Sequence, residues 1–408
     1  MTFLSAFLDI LSEYTKLSWI IYFSLIYVIL ISVYNAIQLL ISTKKLRKYR
    51  NYEDPKEILI SDLKSLPLVN IIIPAWNEGD LFKKLLLSIT KLSYPNIKVI
   101  TNAGGSDETF QIAQSFKSFD NFVILYQKGG SDRPSLGKIK AINECLDHVS
   151  EGIIYFIDAD SDINDDILLR MIHPLINLNE EVVMGGVRPL KNQVKKPLVK
   201  YLLFDRFKIY SEKFERHFQG RVITGQNFCI SYNVLKSFSK FTYQKMIPTD
   251  GSMGRDIYSK GFKAYRLVDF RHRIYVDYSD SLKEYFHQRL VWHENFLNSN
   301  MKHRNFLNLI KFMLLCCISL YSLIFPILMI IDIRLLFPGV LIILTIYLKK
   351  LRRLLLFTRT IDKKYYDSYN LLFFFYIIFF IMFDFIINFY VIFHFFYFLR
   401  KLKKIEQE

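Results

Sequence analysis

Ile153-Ile154-Tyr155-Phe156-Ile157-Asp158-Ala159-Asp160 is the stretch that decides how this chain folds. Five apolar residues running straight into two carboxylates read as a strand buried on both faces, the kind found at the centre of a parallel sheet. In an open parallel sheet, ligands collect beyond the carboxyl ends of the strands. Asp158 and Asp160 therefore stand where a hard divalent cation bridging phosphate oxygens would be held. Acidic residues after a strand also cap the next helix, the role expected of Asp162, Asp165 and Asp166.

Outward from this strand, between about Pro67 and Asp277, short apolar runs alternate with amphipathic stretches, the pattern of βαβ units. Strands are predicted at Val69–Ile73, Ile97–Ile100, Phe122–Tyr126, Ile153–Ile157 and Val182–Met184. Helices are predicted between them at Leu81–Thr90, Thr109–Phe116 and Lys138–Val149. The first strand ends in Pro74-Ala75-Trp76-Asn77-Glu78, the second in Ala103-Gly104-Gly105-Ser106-Asp107-Glu108-Thr109, and Gly137-Lys138 opens the helix before the Asp158 strand. These polar turns converge on one crevice, the expected site for a nucleotide. Leu198–Phe214 and Leu282–Leu297 break the alternation; each reads as a helix with aromatic residues on one face and basic residues beside them, fit for a membrane interface or for a core.

The ends of the chain have a different character. Leu17–Ile41 is apolar for long enough to cross a bilayer, and Phe312–Ile331 and Leu371–Phe398 read the same way. Leu335–Leu348, with 14 residues, is either a short span or a re-entrant segment. Asp384 and Asn388 lie four residues apart on one face of Leu371–Phe398, and are expected to face protein or a cavity rather than lipid. Lys44, Lys45, Arg47, Lys48 and Arg50 follow the first span and place the middle of the chain in the cytosol by the positive-inside rule. The expected organisation is an N-terminal segment (1–16), a first span (17–41), a basic linker (42–66), a cytosolic α/β domain (67–277), an interfacial helix (278–308), a C-terminal transmembrane region (309–398) and a basic tail (399–408).

Composition fits this division. Of the 408 residues 51% are hydrophobic, which excludes a disordered chain. The four cysteines form no CxxC pair, which argues against a zinc ribbon and a secreted disulfide framework. The net charge of +16 sits almost wholly in three clusters, at Lys44–Arg50, Lys349–Lys364 and Arg400–Lys404. They suit anionic membrane lipids, and no nucleic-acid partner is expected. No GxGxxG, P-loop, GxSxG or HExxH motif is present, so the dehydrogenase, NTPase, hydrolase and zinc-protease readings lack their signatures.

Taken in order, IIIPAWNE, GGSD-T, GK--A-N and DAD resemble glycosyltransferase family 2, the inverting enzymes with the GT-A fold, over roughly residues 67–297. With its flanking spans the chain looks most like the membrane-bound branch, which includes polyprenyl-phosphate glycosyltransferases, ceramide glucosyltransferase-like enzymes and polysaccharide synthases. The resemblance implies a nucleotide-sugar donor contacted by Pro74, Ala75, Asn77, Glu78, Asn102, Gly105, Asp107, Lys138 and Asp158, with Mg²⁺ or Mn²⁺ on Asp158 and Asp160. It implies a general base at Asp250, with Asp256 as the local rival, and a loop near the acceptor at Thr224-Gly225-Gln226-Asn227-Phe228. Gln288, Arg289 and Trp292 would bind the acceptor end and the diphosphate.

Three positions depart from the family's pattern: Asn102 stands for an Asp, Thr249 for a Glu and Val291 for an Arg, whose phosphate contact Arg289 or His293 would take over. The expected activity is transfer of one sugar to a lipid or lipid-linked acceptor at the cytosolic membrane face. A processive polysaccharide synthase and a catalytically silent membrane scaffold are the alternatives.

Overall fold

In the computed structural model the described residues are 56–127, 137–211, 217–218, 225–243, 249–267 and 273–302, with Ile223 and Phe270, and parts of 26–41, 305–316, 340–365 and 376–391. They divide into two compact units, one formed by residues 53–199 with 213–280, the other drawing on 1–52, 200–212 and 281–408.

In chain order the elements are β1 (Val69–Trp76), α1 (Gly79–Ile89), β2 (Ile97–Gly104), α2 (Thr109–Gln114), β3 (Phe122–Tyr126), α3 (Lys138–Leu146), β4 (Ile153–Ile157), β5 (Ser161–Asp162), α4 (Asp165–Asn177), β6 (Val182–Met184), β7 (Val187–Pro189), α5 (Pro197–Ser211), β8 (His217–Phe218), β9 (Asn227–Ser231), α6 (Tyr232–Lys236), α7 (Thr249–Ser259), β10 (Ala264–Arg266), β11 (Ile274–Val276) and α8 (Leu282–Lys302). All five predicted strands are present. The main sheet runs β3-β2-β1-β4-β9-β6-β10-β8 and a second sheet runs β5-β11-β7. β1 is parallel to β2 and β4, β2 to β3, and β6 to β10.

β4 is buried along its whole length because β1 flanks it on one side and β9 on the other. β9 runs antiparallel to both β4 and β6. Its Phe228 ring stacks on Phe156 with centroids 4.3 Å apart, in a core shared with Ile72, Ile142, Val182, Ile230 and Met253. At about 25 cal/mol per Å² of apolar surface removed from water, burial of such a cluster stabilises this unit. Pro74 is tolerated in β1 because pairing with β4 ends at Ile72↔Phe156, so its missing N–H falls beyond the doubly paired part of the strand.

The capping expectation after β4 needs correction. Asn164 caps α4, its Oδ1 accepting the Ile167 N–H at 3.1 Å, while Asp162 belongs to β5. Asp165 accepts from the Ser93 N–H at 2.7 Å and the Ser93 hydroxyl at 2.9 Å, so it ties α4 to the turn after α1.

In the other unit, the described part includes α8, a helical stretch over 379–391 and a π-helical turn at Thr358–Asp362. Most residues of the four apolar stretches lie outside the described residues. Among the described residues no helix is long and apolar enough to cross a membrane.

Candidate active site

The turns after β1 and β2 are laced to one another. Asn77 adopts φ 57°, its backbone N–H donates to the Gly104 carbonyl at 3.2 Å, and its Oδ1 accepts the Ser106 N–H at 2.7 Å. Gly105 makes this approach possible: its φ is 132° and a Cβ there would stand 2.1 Å from Asn77 Oδ1. Thr109 Oγ1 accepts the N–H groups of Glu78 and Gly79 at 2.8 and 3.0 Å, and its own N–H donates to Asp107 Oδ1 at 3.0 Å. Asn77, Gly105 and Asp107 thus build the rim of the crevice with their polar groups turned on neighbouring backbone.

Asn102 lies near the end of β2. It is fully buried, its Nδ2 donating to Glu144 Oε2 of α3 at 2.6 Å while its Oδ1 has no hydrogen-bond partner. Ala75 is also buried, leaving only backbone to offer from that position.

The carboxylates meet at the ends of β4 and β1. Lys138 Nζ, on the first turn of α3, stands 2.5 Å from Asp158 Oδ1. Burial works against the Lys138 ammonium, but Asp158, Asp250 and Asp160 outweigh it and hold its pKa above the ordinary lysine value. Burial, then the charges of Asp158 and Glu78, push Asp160 up to about 7. Its Oδ1 is buried without a hydrogen-bond partner. Burial, then Asp158, raises Glu78 as well. Three crowded carboxylates facing one lysine make a site that gains from added positive charge.

Asp250, at the start of α7, belongs to the same electrostatic cluster. Burial raises its pKa, Lys138 lowers it, Asp158 raises it, and the Gly225 backbone N–H lowers it by hydrogen bonding the carboxylate. A Cβ on Gly225 would stand 2.0 Å from Asp250 Oδ1, so glycine is what allows this contact. Asp256, the local rival, accepts the Thr242 N–H at 2.6 Å and serves the loop before α7. Among the described residues no three His, Cys, Asp or Glu side chains group as metal ligands. Asp158 and Asp160 alone would supply protein oxygens.

α8 carries Gln288, Arg289 and Trp292 in the second unit. Arg289 is already engaged, with Nη2 2.7 Å from Asp205 Oδ2 and Nε 3.0 Å from the Tyr285 hydroxyl. Burial, then the Arg289 charge, lowers His293 to about 4, so at neutral pH it is an uncharged imidazole rather than a phosphate-binding cation. Gln288 is half-buried and Trp292 is 40% exposed. A pocket of about 380 Å³ opens beside Arg289, Trp292, Phe296, Lys311 and Phe312.

Residues 70–239 match the profile described as Glycosyl transferase family 2. They form a family 2 glycosyltransferase domain. The chain is 29% identical over 127 residues to the glycosyltransferase AglE of Haloferax volcanii, covering 30% of this chain and 40% of that protein. It is 33% identical over 112 residues to a beta-monoglucosyldiacylglycerol synthase of Trichormus variabilis, covering 26% and 23%. The chain spans less than half the length of these curated relatives. A solved mannosyltransferase from Pyrobaculum calidifontis, in complex with GDP-Man and Mn2+, is similar over 67% of this chain and 75% of its own, at 16% identity and a TM-score of 0.48.

The sheet of the glycosyltransferase domain is GT-A-like in being α/β and mostly parallel at its β3-β2-β1-β4 end. Glu78, Lys138, Asp158, Asp160 and Gly225 fall inside the family match; Asp250 follows it, and α8 lies well beyond. The residues that sequence reasoning missed are the partners. Gly225 was legible only as part of a loop, and Glu144 and Asp205 carry no motif at all.

Proposed function

We propose that the protein is a membrane-integral inverting glycosyltransferase that moves one sugar from a nucleotide-sugar to a lipid or lipid-linked acceptor at the cytosolic membrane face. The observation that carries this reading is the cluster at the strand ends: a lysine on Asp158, an unpartnered buried oxygen on Asp160, and Asp250 held by Gly225 in the same field. Lys138 binds the donor diphosphate and keeps its charge through the cycle. Asp250, as carboxylate, accepts the proton of an acceptor hydroxyl while that oxygen bonds to the sugar carbon and the bond to the nucleoside diphosphate breaks. Where the acceptor is a lipid phosphate, already ionised, Asp250 orients it instead.

The donor set fits a hard divalent cation, because the Asp160 oxygen lacks a partner and the cluster is short of positive charge. Mg²⁺ or Mn²⁺ would be held by Asp158 and Asp160 and would neutralise charge on the departing diphosphate. The name of the Trichormus relative, a glucosyldiacylglycerol synthase, supports a lipid acceptor. Long apolar stretches and the basic clusters beside them support membrane integration.

The test is to incubate detergent-purified protein with a panel of nucleotide-sugars, Mg²⁺ or Mn²⁺, and lipid extract, and to follow nucleoside-diphosphate release. A single glycolipid product is expected. No release under any condition would sink the transferase reading, and long polymer products would replace it with the processive synthase.

A further inference from the structure

One carboxylate of the second unit gathers hydroxyls from two helices. Asp384 lies on the helical stretch 379–391 and is surrounded in sequence by Phe379, Phe380, Ile381, Phe383 and Ile387. Its Oδ2 accepts the Tyr201 hydroxyl of α5 and its Oδ1 the Tyr285 hydroxyl of α8. Both tyrosines are fully buried, and their rings stack on Phe380 and Phe383. The Tyr285 hydroxyl accepts Arg289 Nε at 3.0 Å, and Arg289 Nη2 reaches Asp205 at 2.7 Å. On the other flank, Lys350 Nζ stands 3.5 Å from the Tyr201 hydroxyl. Two cations and two carboxylates are joined through two phenols.

Packing alone does not call for this arrangement. The stacked rings already join α5 and α8 to the 379–391 stretch, and a polar side chain among apolar neighbours is costly unless its hydrogen bonds are met. Such groups are best explained by the single geometry they specify. The geometry specified here ends at Arg289, whose fork is held at two nitrogens and whose guanidinium lies 5.1 Å from the Trp292 ring centroid.

We propose that Asp384 is a positioning residue: through Tyr285 it fixes Arg289, and through Arg289 the Trp292 ring, on the face of α8 that receives the acceptor. The acceptor half of this statement rests on the transferase reading above, and the geometric half does not.

The test uses the full chain in detergent, with Trp19→Phe and Trp76→Phe leaving Trp292 as its one tryptophan. Acceptor is supplied as diacylglycerol or polyprenyl phosphate in micelles, whichever the parent turns over. Asp384→Asn and Tyr285→Phe are expected to shift the Trp292 emission and raise the acceptor KM about tenfold, the order of one charge-assisted hydrogen bond. The donor KM stays unchanged. Tyr201→Phe, which touches Asp384 but not Arg289, leaves the emission in place. Emission unmoved by Asp384→Asn, or moved equally by all three variants, overturns the proposal. If Asp384→Asn does not fold, Asp384→Ser, smaller and uncharged, is read in its place, with Tyr201→Phe as the control that removes one hydroxyl and keeps the ring. A parent without turnover on any nucleotide-sugar defeats the transferase reading, and the emission still decides whether Asp384 sets Trp292.

Discussion

Gly225 has no side chain because Asp250 occupies the space one would need, with Oδ1 2.0 Å from where a Cβ would sit. Gly225→Ala must therefore push the carboxylate away, at a cost of about 1–3 kcal/mol in stability measured by denaturant melting. Loss of the Gly225 hydrogen bond also removes an influence that lowers the Asp250 pKa, so the acidic limb of the pH–rate profile should move to higher pH. In the parent that limb is itself expected above the ordinary carboxylate range, since burial raises the Asp250 pKa and so disfavours the anion that the proposed reaction needs. Asp250→Asn keeps the shape and loses the base; acceptor-dependent nucleoside-diphosphate release should fall by about 10²–10⁴-fold. Asp160 gives a second pH effect with the opposite dependence on charge. Its folded pKa of about 7 exceeds the unfolded value near 3.8, so the folded state holds the extra proton and stability falls as pH rises through that window. A cation on Asp160 would cancel this loss, so Mn²⁺ should raise Tm more at pH 8 than at pH 5, read by thermal melting with and without the metal. A Tm equally insensitive to Mn²⁺ at both values would remove Asp160 as a ligand.

At the scale of elements, β4 and β9 were unequally legible. β4 announces itself by five apolar residues ending at a carboxylate, and β1 and β2 by similar runs, so the parallel half of the sheet was readable from periodicity. β9 has the burial of a central strand, but its direction is set by partners about 75 and 45 residues away in sequence, on β4 and β6, which no local pattern encodes. The two- and three-residue strands β5, β7, β8, β10 and β11 are likewise defined by their neighbours. The same holds for the site: residues in turns at strand ends could be listed in advance, whereas the bond from Asn102 to its helix partner Glu144 was invisible in sequence. Asn227 shows how strictly β9 is fixed. Its Oδ1 accepts the Tyr155 hydroxyl and its Nδ2 donates to the Gly186 carbonyl, both at 2.8 Å, with no exposure to water. Asn227→Leu strands both groups and should cost about 1–3 kcal/mol for each, a loss visible in urea melts. Asn227→Leu combined with Tyr155→Phe should recover part of it, because one of the stranded groups is then gone.

For the whole molecule the question is what the +16 charge is for. Were it a diffuse surface charge, it would favour any polyanion. It is instead concentrated in Lys44–Arg50, Lys349–Lys364 and Arg400–Lys404, each adjoining an apolar stretch of the sequence. Under the proposed reading these clusters hold the chain at anionic headgroups at roughly 1 kcal/mol per basic residue near the surface, while the apolar stretches hold it in the bilayer. The two contributions respond differently to solvent. Salt screens the first over a Debye length of about 10 Å at 0.1 M and leaves the second intact. The full chain should therefore stay with the membrane pellet through washes in 1 M salt and in alkaline carbonate, and enter solution only with detergent. Release by salt alone would show attachment by the basic clusters without spans. With the chain retained, replacing the five basic residues of Lys44–Arg50 by Gln should leave pelleting unchanged but let the glycosyltransferase domain reach either side, read by protease protection in sealed vesicles. The positive-inside argument predicts that the parent domain is cleaved only from the cytosolic side. Cleavage from both sides in the parent would remove the cytosolic placement, and with it the claim that donor and acceptor meet at that face.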